Sequence, residues 1–145
     1  MKFKDFDDAG RKLSVLVRDV LTPDSVLLGV PTCGVAVAVA LADELGVTVT
    51  VLDVTRDDSG VHIRIDSEVC SGREAVVIDD GIETGTTARA IAVALREAGA
   101  TRIVLAVPVC PREAEADLRR RYDDVLALDR PLVRRSLRWH YETFA

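Results

Sequence analysis

Two adjacent aspartates, Asp79 and Asp80, close an apolar run, and Thr84-Gly85-Thr86-Thr87 then opens a helical pattern; the stretch reads AVVIDDGIETGTTARA over residues 75–90. Carboxylates are acceptors, suited to paired hydroxyls or to a cation. A helix start carries unpaired backbone N–H groups and a positive dipole end, which suit a phosphate. Glycine lets the backbone approach a ligand, and threonine hydroxyls add donors. The aspartates would repel that phosphate, so the two halves of the stretch address different ends of one ligand. A ribose 5-phosphate, with its phosphate at one end and vicinal hydroxyls at the other, satisfies both. Helix capping by Thr or Asp is common, but a cap uses one residue and leaves the second carboxylate and the extra threonines idle.

Other phosphate motifs fit less well. A Walker loop ends in Gly-Lys-Ser/Thr and a dinucleotide fingerprint reads Gly-x-Gly-x-x-Gly. All three lysines stand at positions 2, 4 and 12. No loop lysine is therefore available for a P-loop, a Schiff base or a phospho-receiver pocket.

The elements around this stretch predict how it is held. Phe6, Ala9, Leu13, Leu16, Val17, Val20 and Leu21 fall at helical spacing behind a run of acids, and Thr22-Pro23 ends them. SVLLGV (25–30) reads as a buried strand, GVAVAVALADELG (34–46) as a buried helix, and VTVTVLDV (47–54) as a strand. DDSG (57–60) is a turn and VHIRI (61–65) alternates, which predicts a hairpin. EAVVI (74–78), a helix ending at Gly99, RIVLAVPV (102–109), a helix over about 111–121 and DVLALD (124–129) continue the alternation. Such a pattern predicts one α/β domain over residues 1–145, with a central, mostly parallel sheet and helices on both faces. Ligands of such sheets bind beyond the carboxyl ends of the strands. That rule gathers the loops 31–34, 55–60 and 79–87 on one edge.

Composition sets the outer limits. The chain has 145 residues, 48% hydrophobic and 30% charged, an ordinary globular balance. Its net charge is -5, which does not suggest a nucleic-acid partner. Sixteen of the nineteen basic residues are arginine. Cys33, Cys70 and Cys110 are widely spaced and, with His62 and His140, match no zinc spacing, so reduced thiols in a cytoplasmic protein are expected. MKFKDFDDAG has no apolar stretch after its charges, and the uncharged run 26–42 is broken by Pro31 to Gly34, so neither a signal peptide nor a membrane span is expected.

VVIDDGIETGTT resembles the phosphoribosyl-pyrophosphate motif of type I phosphoribosyltransferases: apolar residues, two acids, then Thr-Gly-x-Thr. FKDFDDAGRKL, LLGVPTCGVAVA, AVPVCPRE and WHYETF are similar to segments of a subgroup of predicted phosphoribosyltransferases, so the resemblance spans most of the chain. It implies transfer of ribose 5-phosphate from phosphoribosyl pyrophosphate to a nitrogenous base, with release of pyrophosphate. Asp79 and Asp80 would hold the ribose hydroxyls, and Thr84, Gly85, Thr86 and Thr87 would cradle the 5-phosphate. Gly81 and Ile82 lie within the same binding motif. Thr32, Cys33 and Gly34 would meet the pyrophosphate through backbone, with Arg56 nearby. Mg²⁺ would arrive mainly with the pyrophosphate. In 6-oxopurine transferases an acid often stands at the position of Glu83 and is proposed to take the proton of the purine, which makes Glu83 the catalytic candidate. Members are usually dimers.

Two features depart from the pattern. Where the family usually reads Pro-Arg-Gly-Gly, this chain reads Pro31-Thr32-Cys33-Gly34. A charge-assisted hydrogen bond contributes about 1.5–3 kcal/mol, so the missing arginine predicts pyrophosphate binding weaker by roughly one to two powers of ten. The connection over residues 55–73 is also short, leaving a minimal hood where larger relatives carry a mobile lid. A second reading is therefore a regulatory protein that binds a nucleotide or phosphoribosyl pyrophosphate without reaction. A metal-dependent phosphohydrolase fits less well, because it wants an Asp-x-Asp pair. Trp139 or Tyr141 could stack on a base, or instead pin the tail to the core.

Overall fold

The computed structural model describes residues 2–144. In chain order the elements are α1 (Phe6–Arg18), β1 (Ser25–Gly29), α2 (Cys33–Leu45), β2 (Thr50–Val51), β3 (Asp53–Asp57), β4 (Gly60–Arg64), α3 (Ser67–Cys70), β5 (Glu74–Ile78), α4 (Thr86–Glu97), β6 (Arg102–Val109), α5 (Arg112–Arg121) and β7 (Asp124–Asp129). A 3-10 turn, Leu137–His140, follows. Five strands form an all-parallel sheet in the order β2-β1-β5-β6-β7, while β3 and β4 pair as a separate antiparallel hairpin.

Parallel strands buried on both faces are apolar through their lengths, as β1, β5 and β6 are after their first residues. Side chains alternate between faces along a strand. Leu27, Val76, Ile78, Val104 and Ala106 pack with α1 and α2 on one side. Val26, Leu28, Ala75, Val77, Ile103, Leu105 and Val107 pack with α4 and α5 on the other. The chain leaves β1 for α2 on the first face and leaves β5 for α4 on the second. Because β1 and β5 are neighbours, their carboxyl ends diverge there and open a crevice, the switch point at which such sheets bind ligands.

Two expectations need correction. The run 47–54 is not one strand: only Thr50 and Val51 pair with β1, Leu52 turns into the core, and Asp53 begins the hairpin. Alternation of period two continues across the break, so periodicity could not mark it. Helix α1 ends at Arg18, one turn before Leu21. The hairpin lies against α4 through Val54, Ile63 and Ile65, which pack on the second core. Its tip is closed by local bonds: the Ser59 hydroxyl and backbone, with His62, hold the Asp57 carboxyl down to about 2. No helix among the described residues is long and apolar enough to cross a membrane.

The tail is fastened to the start of the chain. Phe3 and Tyr141 bridge in parallel; Phe3 N–H donates to the His140 carbonyl, and Glu142 N–H to the Phe3 carbonyl, both at 2.8 Å. Phe3, Phe6 and Phe144 surround the Tyr141 ring with centroids 5.0–5.6 Å away.

Candidate active site

At the crevice lies a cavity of about 440 Å³ lined by Pro31, Thr32 and Cys33 from the first loop, Arg56 from β3, the whole of 79–87 and Leu137. The structure thus brings together Thr32, Cys33, Arg56, Asp79, Asp80, Gly81, Ile82, Glu83, Thr84, Gly85, Thr86 and Thr87. Residues 57–60 lie outside the lining, as does Gly34. Gly34 makes room between loops, since a Cβ there would stand 2.6 Å from Asp79 Oδ1 and 2.9 Å from Asp79 Cα. It lets the two loops touch.

The loops are held at their roots. Val30 N–H donates to the Ile78 carbonyl at 3.0 Å, and Ile82 N–H to the Val109 carbonyl at 2.8 Å. The Pro31–Thr32 peptide bond is cis. Arg56 Nη2 donates to the Pro31 carbonyl at 3.3 Å, bringing a cation from the hairpin to the loop that lacks its own arginine.

Asp79 and Asp80 are an uneasy pair. Burial pushes the Asp79 carboxyl well above the usual carboxylate range, and the adjacent Asp80 charge adds to it. Asp80, only 9% exposed, is also raised by burial, with Glu83 adding repulsion and Arg56 opposing it. Asp80 N–H donates to Asp79 Oδ1 at 2.7 Å, and the Tyr141 hydroxyl donates to the Asp80 carbonyl at 2.6 Å. Desolvated acceptors of this kind favour a ligand that brings donors or positive charge. Cys33 faces the same charges: burial, then Asp80 and Asp79, raise its thiol, which disfavours the thiolate. Cys110 is buried, with its thiol pushed up to about 11, and is a core side chain.

Helix starts differ in how they are capped; that of α5, outside the cavity lining, also lacks a side-chain cap but carries Glu113 and Glu115 in its first turn. Asp5 caps α1 and Asp66 caps α3 with side-chain hydrogen bonds. The helices that open at the cavity, α2 and α4, begin at Thr32 and Gly85 with no side-chain cap and no acid in the first turn. Helix starts of this kind offer N–H groups and a positive dipole end, and two such ends suit two anionic groups. Gly85 has φ +88°, which a residue with a side chain rarely adopts.

Glu83 is exposed, and its Oε1 accepts a hydrogen bond from Leu137 N–H at 2.8 Å, so it clasps the tail as well as lining the cavity. The Leu137 side chain covers Gly81, where a Cβ would come within 2.5 Å of Cδ2. Tyr141 is buried in the aromatic cluster and pins the tail, and Trp139 lies outside the lining with Arg135 and Lys2 over its ring. Base stacking on Tyr141 is therefore excluded. Sequence reading missed Leu137, which no local pattern flags across 54 residues of chain. It also missed Arg89, whose guanidinium reaches back over the loop to Thr84 and Thr86.

Residues 4–132 match the phosphoribosyl transferase domain. The chain belongs to the phosphoribosyl transferase family. It is 35% identical over 136 residues to the bifunctional protein PyrR of Streptomyces coelicolor, covering 79% of this chain and 70% of that protein. It is 28% identical over 192 aligned positions to a presumed phosphoribosyl transferase of Mycobacterium tuberculosis, covering 98% of this chain but only 43% of that protein. The chain thus spans less than half the length of that relative. The fold is shared with the TT1426 protein of Thermus thermophilus, at a TM-score of 0.84 and 24% identity, over 100% of this chain and 92% of that one. This family's α/β architecture, a central parallel sheet with helices on both faces, is the one described above.

Proposed function

We propose that this chain transfers ribose 5-phosphate from phosphoribosyl pyrophosphate to a nitrogenous base, a purine being favoured by Glu83. The observation that carries this reading is one cavity in which two desolvated carboxylates lie between two uncapped helix starts. Asp79 and Asp80 accept from the ribose hydroxyls, and the start of α4, with Thr84, Thr86 and Thr87, donates to the 5-phosphate. Thr32 and Cys33 meet the pyrophosphate at the start of α2, with Arg56 supplying the charge that Thr32 lacks. A base nitrogen attacks the anomeric carbon as its bond to pyrophosphate breaks. The two aspartates and the fixed N–H donors stabilise the charges that develop, which is electrostatic positioning. Mg²⁺ fits beside two carboxylates if pyrophosphate supplies its other oxygens, and when bound it would neutralise the leaving group. Among the described residues no group of three or more His, Cys, Asp or Glu forms a metal cage by itself. Activity as a homodimer is part of the same proposal.

Glu83 takes the proton that the base loses. Its carboxylate can accept at both oxygens, so the bond to Leu137 leaves room for that proton. Glu83→Gln keeps an acceptor for Leu137 N–H but cannot take the proton. Turnover is expected to fall by about 10²-fold or more, with ribose 5-phosphate binding unchanged. Nucleoside monophosphate formation from phosphoribosyl pyrophosphate, Mg²⁺ and a panel of bases tests both points. Product with no base in the panel would remove the transferase reading, and equal turnover in the variant would remove Glu83.

The Thr32-Cys33 loop supports a second reading, a binding protein that has given up the reaction. It requires nucleoside monophosphate to bind while no pyrophosphate exchange occurs.

A further inference from the structure

Arg89 lies in the first turns of α4, and helical side chains of its length run back toward the helix start. Its Nη1 donates to the Thr84 carbonyl at 3.1 Å, and its Nη2 to Thr86 Oγ1 at 3.3 Å. Asp117 of α5 anchors the same Nη1 at 3.4 Å and is itself held by Arg121 at 3.5 Å. The guanidinium passes close to Gly85, where a Cβ would stand 3.1 Å from Nη1. A larger residue at 85 would therefore displace it. Thr84 Oγ1 and Thr86 Oγ1 are 3.2 Å apart.

We infer that Arg89 is a positioning residue that fixes the threonine hydroxyls of the loop as donors toward an anion. A hydroxyl has one proton and accepts through its lone pairs. With Arg89 donating to Thr86 Oγ1, the Thr86 proton must point elsewhere, to Thr84 Oγ1 or into the cavity. If it goes to Thr84, the Thr84 proton is the one released. Either way the pair presents one outward donor, and the bond to the Thr84 carbonyl sets the loop's shape. The guanidinium also places a fixed positive charge behind the loop without reaching the cavity lining. Arginine suits this position because its planar fork reaches the Thr84 carbonyl, Asp117 and Thr86 Oγ1 from two fixed nitrogens, a spread that the single nitrogen of lysine lacks.

Because this role rests on the loop's being the 5-phosphate cradle, the test separates the two. Titrating wild type with ribose 5-phosphate and with inorganic pyrophosphate establishes the two subsites. Arg89→Met is expected to weaken ribose 5-phosphate by about tenfold or more, as loss of a charge-assisted bond does. Pyrophosphate affinity, set by the 31–33 loop, should hold within about twofold, and Arg89→Lys should recover part of the loss. Thr86→Val should cost little more in the Arg89→Met background than Arg89→Met alone, since both remove one chain of bonds. Additive losses, or equal loss of both ligands, would overturn the positioning role and leave a general structural one. Wild type that binds no ribose 5-phosphate would overturn the cradle reading and this role with it.

Discussion

Replacing Gly34 with alanine is expected to lower stability by about 1–3 kcal/mol, the usual cost of overpacking, and to abolish ribose phosphate binding. The added Cβ would meet Asp79 Oδ1 at 2.6 Å and Asp79 Cα at 2.9 Å. The carboxylate can rotate; the backbone behind it cannot, because Asp79 directly follows the central strand β5. Relief requires the 31–34 loop to lift from the 79–87 loop, which separates the two helix starts. Chemical denaturation and ribose 5-phosphate titration read the two effects. A variant as stable as wild type and still able to bind would show that the loops do not need this contact.

Asp79→Asn is expected to act in the opposite direction on stability and in the same direction on binding. Burial, with the Asp80 charge second, raises the Asp79 carboxyl well above its ordinary value. A carboxyl whose folded value is raised costs nothing below the ordinary carboxylate range, where both states hold the proton. As pH rises through that range the unfolded chain releases its proton while the folded one keeps it, so stability falls. The loss is complete once pH passes the raised folded value. Asparagine has no proton to release and retains an oxygen for Asp80 N–H. The variant should therefore match wild type below about pH 3 and exceed it at neutral pH, by about 0.5–2 kcal/mol as is common when a strained functional group is removed. Ribose hydroxyl recognition should be lost at the same time. Thermal melts across pH check the sign; an advantage that shrinks toward neutral pH would contradict the electrostatic account.

The legible and illegible parts of the sequence divide along a physical line. Strands 74–78, 102–109 and 124–129 were readable to the residue, because strands covered on both faces are continuous apolar runs ended by turn residues. The Asp79–Thr87 loop was readable because its chemistry is contiguous in the chain. The break at Leu52 was not, since an edge strand of two residues and a hairpin arm share one alternation. Gly34 was expected to touch ligand; that it also makes room for Asp79 depends on where two separate loops meet, which no local pattern records. Arg89 was within reach: a helical arginine three residues after Thr86 can fold back on it, as the distance of 3.3 Å shows. The tail's clasp through Leu137 and Tyr141 depends on long-range packing, which no local pattern records.

The central claim is that Asp79, Asp80 and the start of α4 hold a phosphorylated ribose. Calorimetric titration of phosphoribosyl pyrophosphate with Mg²⁺, on wild type and on Asp80→Asn, tests it most directly. The expected result is saturable binding by wild type and loss of at least about tenfold in affinity in the variant, since a buried acceptor shared with a hydroxyl is removed. Equal affinity in the two proteins, or no binding of any ribose phosphate by wild type, would contradict it.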